Sequence, residues 1–380
     1  MRWDHDYCEP EMRPLPAAGI VVVKAAMGVG KTKALNAFLK GKDSVLMVTF
    51  SRALAAKLVA EFDDMVDYQT KEGYLDDDRV VVCLDSLWRI KTARFDYVVL
   101  DEAVSVLLHF NSYLMKRAVE NAAALDAYMA SAGHVFVVDA AVDLPFVSEF
   151  VSHLESKRSQ KAVWIRNRYV RPTNRVATIR GKPHGKEALD EICADLRRGK
   201  RVVVCSSTKR FVEQLVDRAS TKCPRARIVA HHGDASCSDP LDDVHALWKQ
   251  ADLLVYSPSV TAGVSFELEH FDVLYANFVK SMYTPGVEIS LQQLFRVRRL
   301  SDGAMTIWYS QMGGDARTPD SVDCPTFAGL NPKIKGGLDH RTALGRVVAN
   351  GVLEMRRRSD ARYREVLEDT LRREHAIPVS

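Results

Sequence analysis

One segment near the amino terminus constrains the possible folds more strongly than any other part of the chain. The β-branched run Ile20–Val23 leads into a glycine-containing turn, which ends in Gly30-Lys31-Thr32 and is followed by the helical pattern Lys33–Leu39. A phosphate-binding loop requires this order of strand, loop and helix, and the end of its pattern, G-x-x-x-x-G-K-[ST], is intact. Ala25 stands at the position of the first glycine, so the strict pattern fails at one position.

The residue types in this loop suit nucleotide phosphates. Gly28 and Gly30 can adopt backbone conformations closed to other residues, which lets successive N–H groups point at phosphate oxygens. Lys31 is expected to reach the β- and γ-phosphates, and Thr32 to bind Mg²⁺. The alternative is an ordinary strand–turn–helix with a chance Gly-Lys-Thr. The predicted nucleotide-binding residues are Ala26, Met27, Gly28, Val29, Gly30, Lys31 and Thr32.

Length and composition limit the class of protein. The 380 residues exceed one typical core and fit two domains plus an appendage. A net charge of +4 neither proves nor excludes a nucleic-acid partner. The seven cysteines are scattered and never form C-x-x-C, so they show no zinc motif and fit a reducing compartment. Because we find no secretory signal and no membrane-spanning run, we expect a soluble, intracellular protein without a membrane partner.

Apolar strand patterns alternate with helical patterns through the first half of the chain. This alternation predicts βαβ units and a mostly parallel sheet that is covered on both faces. Ligands bind such sheets at the carboxyl ends of the strands, where the phosphate loop, Asp101-Glu102 and Asp139 fall. The predicted strands are Ile20–Val23, Ser44–Phe50, Arg79–Leu84, Tyr97–Glu102 and Val135–Ala140, with helices over 33–39, 51–63 and about 110–131.

A second half repeats this pattern without a second Gly-Lys-Thr. Two such halves with one phosphate loop are the layout of a helicase-type motor rather than a kinase. We expect the basic segment Trp164–His184 to connect the halves, residues 311–340 to form a loop, and residues 341–376 to be helical. The second half's predicted strands are Arg201–Cys205, Arg227–Ala230, Asp252–Tyr256, Phe271–Tyr275 and Met305–Tyr309, with helices over 187–198 and 211–220.

Asp101-Glu102 follows the apolar run Val98–Leu100, about seventy residues after the phosphate loop. Asp101 can hold Mg²⁺ through water, and Glu102 can orient and deprotonate an attacking water. A chance acidic pair after a strand is the alternative. The position nevertheless favours the second nucleotide-site motif of P-loop ATPases.

The segment Ser290–Arg299 is the second half's candidate for chemistry. A transferring phosphoryl group develops negative charge that fixed arginines stabilise. Gln292 and Arg296 are four residues apart, which predicts that their side chains lie on the same face of a helix. Arg299 follows three residues later. A basic surface helix is the alternative. Upstream, small hydroxylated residues around Gly263 suit contacts to nucleic-acid phosphates, although a serine-rich loop explains them equally.

Together these segments resemble the superfamily 2 helicases, and more narrowly the herpesvirus replication-origin-binding helicase family and its relatives in other large DNA viruses. They follow the family's order over about residues 20–310. The segments that carry the resemblance are Met27–Thr32, Asp85–Arg89, Asp101–Ser105, Val138–Ala140, Ser257–Phe266 and Gln292–Arg298.

The resemblance implies an α/β fold of two tandem RecA-like domains with mostly parallel sheets, plus a short helical C-terminal extension. We place these at 1–165, 166–312 and 313–380. It further implies ATP and Mg²⁺ as cofactors, single-stranded or forked DNA as partner, 3′-to-5′ movement, and replication proteins as candidate further partners. If the chain is viral, the host nucleus or cytoplasm is the expected compartment.

The resemblance also assigns roles. Lys31, Asp101, Glu102, Gln292, Arg296, Arg298 and Arg299 form the expected catalytic set, with Thr32 and Asp101 on Mg²⁺ and Asp139 coupling hydrolysis to DNA grip. Expected nucleic-acid contacts are Ser51, Arg52, Asp85, Ser86, Ser206, Ser207, Thr208 and Thr261. Two departures stand out: Phe295 replaces the glycine usual before the last motif's arginine, and Arg298-Arg299 makes the identity of the arginine finger ambiguous. About seventy residues follow residue 310, so we expect a motor fragment or a stripped-down relative.

Three functions remain in competition. The first is an ATP-dependent DNA helicase or translocase acting in replication. The second is an RNA helicase or another nucleic-acid-dependent ATPase, because the same ATP site serves all of these motors. The third is a non-motor DNA-binding or assembly protein with a vestigial ATP site, against which the intact Lys31, Asp101, Glu102 and Arg296 argue.

Overall fold

The computed structural model describes residues 2–3, 19–62, 64–112, 115–170, 172–181, 186–232, 244–258, 260, 264–280, 286–311, 338–339 and 341–380. The chain divides into two compact units, Met1–Val170 with Thr318–Met355, and Arg171–Arg317 with Arg356–Ser380. The domain boundaries expected from the sequence stay a prediction. Thr261 and nearly all of the predicted loop 311–340 lie outside the described residues.

The described part of the first unit is built on an eight-stranded sheet in which every neighbouring pair is parallel. The spatial order is β1-β8-β2-β7-β6-β3-β5-β4. Strands β3 and β7 are buried along their whole length, and β2 and β6 are buried except for one half-buried end residue each, as expected for a sheet covered on both faces. The strands are β1 Arg2–Trp3, β2 Gly19–Lys24, β3 Val45–Thr49, β4 Val66–Asp67, β5 Arg79–Cys83, β6 Tyr97–Asp101, β7 His134–Asp139 and β8 Val163–Asn167.

Helices connect these strands. The long helix α10 (Ala343–Ala361) belongs to this unit as far as Met355. Gly351 brings it close to Phe146, since a Cβ on that glycine would lie 2.6 Å from the phenylalanine ring. The other helices here are α1 Lys31–Leu39, α2 Arg52–Glu61, α3 Ala103–His109, α4 Ala118–Ser131 and α5 Pro145–Arg158, with 3₁₀ helices Tyr68–Thr70 and Leu84–Arg89.

The described part of the second unit contains a six-stranded parallel sheet in the order β11-β12-β10-β13-β14-β9. The chain's last residues extend it, because Val379 pairs with Ala177 on β9. The strands are β9 Val176–Gly181, β10 Val202–Ser206, β11 Ile228–His231, β12 Leu253–Tyr256, β13 Val273–Lys280 and β14 Ala304–Gln311. The helices are α6 Glu187–Arg197, α7 Lys209–Lys222, α8 Val244–Trp248, α9 Val287–Leu294 and α11 Tyr363–His375.

The strand predictions are confirmed, and three other predictions are wrong in part. The basic segment Trp164–His184, expected to be a connection, contains strands β8 and β9. Arginines occupy exposed positions of these strands and obscure the period-two burial that β9 shows. The sequence predicts helices across about 110–131, but the first one spans Ala103–His109, directly after Glu102 at its N-cap position, and the second begins only at Ala118.

The expectation that Gln292 and Arg296 share a helical face is also wrong. Helix α9 ends at Leu294, and Arg296 lies in the turn beyond it. There the peptide N–H of Phe266 donates to the Arg296 carbonyl at 2.8 Å, and Val297 bridges to Phe266. Pairing with this segment replaces the continued helix that the spacing suggested.

Among the described residues, no helix is long and apolar enough to cross a membrane.

Candidate active site

The loop between β2 and α1 has the backbone that phosphate binding needs. Gly28 (φ 77°) and Gly30 (φ 89°) are both left-handed, which residues with a Cβ rarely adopt. Ala25, at the position of the missing glycine, is buried and packs with Val29 and Ala34. The apolar contact holds the loop against α1, so alanine at this position is compatible with the loop.

Lys31 and Thr32 form the first turn of α1, where backbone N–H groups lack partners within the helix and favour anions. The Lys31 amino group donates to the Ala25 carbonyl at 3.0 Å, and the side chain is 9% exposed. The amino group is therefore held inside the loop. Thr32 is half-buried beside it.

Three carboxylates converge on the carboxyl edge next to this loop. Strand β7 lies between β2 and β6, and the register places Asp139 opposite Lys24 and Asp101 opposite Val138. Asp101 and Asp139 are 3% and 5% exposed. Glu102 follows directly in a left-handed conformation (φ 55°, ψ 54°) that is rare and costly for a residue with a side chain.

Burial and mutual repulsion raise the pKa values of the two aspartates in this cluster. Burial, followed by the charge of Glu102, raises the pKa of Asp101 to about 7, and Lys31 opposes the shift. Burial and Glu102 likewise raise the pKa of Asp139 to about 6. Asp139 is steadied by two backbone N–H donors, Val104 at 2.9 Å and Ala141 at 2.8 Å. The cluster thus has an unfavourable excess of negative charge.

This donor set fits a magnesium nucleotide. A hydroxyl and a carboxylate, from Thr32 and Asp101, are the hard oxygen ligands that Mg²⁺ prefers. A buried carboxylate with a raised pKa gains most from a nearby dication, which favours its ionised form. The glycine conformations and the Lys31 amino group suit the phosphates.

The raised pKa of Asp101 predicts that Asp101→Asn stabilises the nucleotide-free protein. The folded-state pKa lies above the unfolded value, so ionising Asp101 costs stability as pH rises from about 4 to 7. We expect the free energy of unfolding of Asp101→Asn to exceed that of the wild type by about 1–4 kcal/mol at pH 7.5. At pH 4 the two proteins should have nearly the same free energy of unfolding. Denaturant titration at both pH values measures this.

Asp143→Asn is the matched control, because Asp143 is half-exposed and pairs with Lys24 at 2.6 Å. It should be neutral or slightly destabilising. A loss of stability in Asp101→Asn at pH 7.5 would contradict the electrostatic account.

The expected nucleic-acid contacts of the first unit lie at the same sheet edge. Thr49 on β3 pairs with Cys83 on β5, so the segments that follow the two strands are neighbours. Ser51 caps α2 through its Oγ, which accepts from the Leu54 N–H at 3.2 Å, and Arg52 is exposed. Asp85 and Ser86 lie half-buried on the 3₁₀ helix Leu84–Arg89.

The sequence analysis missed Asn121, which supports this 3₁₀ helix. Asn121 is fully buried on α4, donates to the Asp85 carbonyl at 3.1 Å, and accepts from the Trp88 N–H at 2.8 Å. The sequence offers one indication of this role: Asn121 is a polar residue on the helix face that also carries the buried residues Leu125 and Met129. Its partners, more than thirty residues away, are not visible from the sequence.

An aromatic and basic cluster lies beside the same 3₁₀ helix. Tyr74 is 62% exposed and meets Trp88 edge to face at 6.0 Å. The Lys91 amino group lies 4.1 Å from the Tyr74 ring centre, and the Arg117 guanidinium lies 4.1 Å from that of Trp88. Exposed rings flanked by cations are the surface that single-stranded nucleic acids use for stacking and phosphate contact.

In the second unit, two of the residues expected to contact nucleic acid have hydroxyls that form internal hydrogen bonds. Ser206 is fully buried, and its hydroxyl accepts from the Thr208 N–H and the Asn277 amide, each at 3.1 Å. The Ser207 hydroxyl accepts from the Val279 N–H at 2.8 Å. Thr208 occupies the N-cap position of α7 without a side-chain capping hydrogen bond, and it is half-buried, whereas Ser206 and Ser207 are buried.

The arginines of the second unit differ in environment. Arg296 is 8% exposed and donates to the Val264 carbonyl at 3.1 Å and to Gln292 Oε1 at 3.4 Å. Arg298 is half-buried and donates to the Ser265 hydroxyl at 3.0 Å, whereas Arg299 is exposed. Gln292 and Arg296 therefore contact each other, as the spacing suggested, although they do so across the end of the helix.

A solved structure has the same fold. Mss116p bound to ssRNA and AMP-PNP superposes with a TM-score of 0.52 at 14% identity, covering 77% of this chain and 66% of that one. A related structure of that protein names it a DEAD-box helicase. The expected α/β fold of two tandem RecA-like domains is confirmed by this likeness.

Sequence comparison identifies the family. The family model described as "Origin of replication binding protein" matches residues 10–181 and 166–375. The replication origin-binding protein of human herpesvirus 6A is 27% identical over 302 residues, which cover 76% of this chain and 38% of that protein. A "Putative helicase/primase complex protein" of African swine fever virus is 28% identical over 313 residues, covering 78% and 28%. The chain spans between 28% and 38% of the length of these two relatives. It belongs to the origin of replication binding protein family.

Proposed function

We propose that the protein is an ATP-dependent DNA motor of replication, a superfamily 2 helicase or translocase. The observation that carries the proposal is the convergence of Lys31, Asp101, Glu102 and Asp139 at one sheet edge, beside a loop with two left-handed glycines. A vestigial site has no need to retain buried carboxylates at this electrostatic cost.

In this proposal the first unit binds and orients the nucleotide. Residues Ala26–Gly30 surround the phosphates with backbone N–H groups, Lys31 neutralises the β- and γ-oxygens, and Thr32 and Asp101 hold the metal. Bound Mg²⁺ and ATP supply the transferable phosphoryl group and a dication that offsets its developing charge. Glu102 orients the attacking water and accepts its proton.

The second unit contributes the arginine motif. Arg296 and Arg299 stabilise the charge that spreads over the transferring group, while Gln292 orients Arg296 through the contact between their side chains. Arg298, which is bound to Ser265, is the third member of the set. We assign the catalytic charge chiefly to Arg296.

We further propose that single-stranded DNA lies along the carboxyl edges of the sheets. Ser51, Arg52, Asp85 and Ser86, with the neighbouring Tyr74 cluster, supply the contacts of the first unit. Thr208 and Thr261 supply the contacts of the second unit, where the internal hydrogen bonds of Ser206 and Ser207 hold the segment after β10 in place. Asp139 couples the two processes, because it binds the N–H of Val104 on the helix that follows Glu102. DNA is favoured over RNA by the family's description and by its herpesvirus relative.

Steady-state ATP hydrolysis with and without oligonucleotides tests the proposal. We expect single-stranded DNA to raise the rate about tenfold or more over the nucleic-acid-free rate, in the range over which positioning alone changes rates. Lys31→Ala, prepared identically, measures contaminating activity. Stimulation by RNA alone would contradict the preference for DNA, and nucleotide binding without turnover on all substrates would favour a non-motor role.

A further inference from the structure

Arg175 lies just before β9 and is 3% exposed. Its guanidinium donates to the carbonyl of Leu294, the last residue of α9, at 2.9 Å, and to the carbonyl of Val297. These two carbonyls bracket Phe295 and Arg296. A single side chain therefore fixes the backbone on both sides of the arginine to which we assign the catalytic charge.

Phe295 is the departure from the family pattern that the proposed function leaves unexplained. The Arg175 guanidinium lies 5.3 Å from the Phe295 ring centre, and the His375 ring stacks on the same ring at 4.0 Å with an interplanar angle of 29°. Glycine at this position would offer neither contact. Phe295 thus joins Arg175 to the end of helix α11.

Helix α11 and the end of α10 contact α9 at two further points. Arg358 donates to Glu288 at 3.0 Å, and the Tyr363 hydroxyl donates to Ser290 Oγ at 2.5 Å. The carboxyl-terminal part of the second unit therefore lies along the helix that leads to Arg296.

We propose that Arg175 is a positioning residue for Arg296, and that the His375–Phe295 stack completes this support. The inference rests on the proposed function, since it needs Arg296 to act in hydrolysis. Arg175 binds both carbonyls at once through its planar fork, which neither lysine nor an apolar residue reproduces. Burying a cation is costly unless hydrogen bonds compensate for the lost hydration, so packing alone does not explain an arginine at this position.

His375 supports the stack as a neutral ring. Burial, then the charges of Arg175 and Arg298, lower the pKa of His375 to about 4. Near pH 7 the ring is therefore neutral and adds no positive charge to those of the two arginines. Burial lowers the pKa of Arg175 to about 10, which leaves it charged. The stack therefore contains one fixed cation between the two carbonyls and two uncharged rings.

Arg175→Met tests the inference, with Arg180→Met as the matched control. Arg180 lies on β9, the strand that directly follows Arg175; it is half-exposed and pairs with Glu191. We expect Arg175→Met to lower kcat for DNA-stimulated ATP hydrolysis about 10- to 100-fold, with the KM for ATP and the Kd for single-stranded DNA within about threefold, because misplacement acts on the transition state. Arg180→Met should match the wild type.

A second readout needs no nucleotide. Hydrogen–deuterium exchange at the peptide amides of residues 295–298 should speed up in Arg175→Met and remain unchanged in Arg180→Met. Wild-type kcat and unchanged exchange in a folded Arg175→Met protein would overturn the inference.

The His375 pair keeps the inference testable if Arg175→Met does not fold. His375→Ala should lower kcat about 3- to 10-fold, and His375→Phe, which retains a stacking ring, should restore it. Wild-type kcat in His375→Ala would then overturn the inference. Absence of ATPase activity in the wild type would refute the proposed function instead, so the two failures are distinguishable.

Discussion

Replacing Glu102 with glutamine is expected to lower kcat for DNA-stimulated ATP hydrolysis by about 10²–10⁴-fold, the contribution of a positioned general base. Glutamine keeps the size of the side chain and faces the same left-handed backbone, so the structure should survive. Burial is the main cause of the raised pKa values of Asp101 and Asp139, and removing the Glu102 charge also removes the repulsion that adds to it. Nucleotide affinity should therefore be retained or improved, and fluorescent-nucleotide titration alongside the hydrolysis assay measures both quantities.

Glu120→Gln is the control for this variant, because Glu120 is an exposed residue of α4 whose partner Arg117 lies 3.7 Å away. It should hydrolyse ATP at the wild-type rate. If Glu102→Gln kept more than about a tenth of the wild-type kcat, the base would have to be a different group. Asp139, buried and held by two N–H donors, is then the next carboxylate to test.

The first unit's candidate nucleotide site could be predicted from the sequence because the patterns that define it are local. β-Branched runs define buried parallel strands, and the residues that end them meet at one edge whatever the loop lengths. The sequence accordingly predicts that Gly28–Thr32, Asp101-Glu102 and Asp139 meet at this edge. The positive φ of Glu102 could not be predicted in this way, because no glycine or asparagine at this position indicates a left-handed conformation.

The second unit was harder to predict because its decisive contacts are long-range. The spacing of Gln292 and Arg296 suggested a helix, yet pairing of Val297 with Phe266 ends it at Leu294. Arg175 is 119 residues from Leu294 in sequence. It also lies in the segment Trp164–His184, whose many arginines favour the prediction of a connection between the two halves. Long-range contacts likewise give Ser206 and Ser207 internal hydrogen bonds at positions where the family resemblance implied nucleic-acid contacts.

Arg296→Ala is the second variant with a large expected effect. An arginine that stabilises the charge of a transferring phosphoryl group contributes about 10³-fold or more to kcat. Arg296 is buried and bonded to Val264 and Gln292, so its guanidinium is already oriented, whereas exposed Arg299 must be ordered first. We therefore expect Arg296→Ala to lower kcat about 10³-fold and the ATP affinity only slightly, as measured by single-turnover hydrolysis and nucleotide titration.

Arg298→Ala and Arg299→Ala complete the comparison. Arg298 donates to the Ser265 hydroxyl, so Arg298→Ala should lower kcat about tenfold or less. An effect of this size is expected when one group beside the reacting atoms is slightly misplaced. Arg296→Lys separates charge from geometry, because lysine keeps the charge but lacks the fork that reaches two acceptors at once. It should remain as impaired as the alanine variant to within about tenfold. Full loss in Arg299→Ala, with Arg296→Ala folded and active, would transfer the role to Arg299. That result would leave Arg296 as a residue that holds Val264 and Gln292 in place.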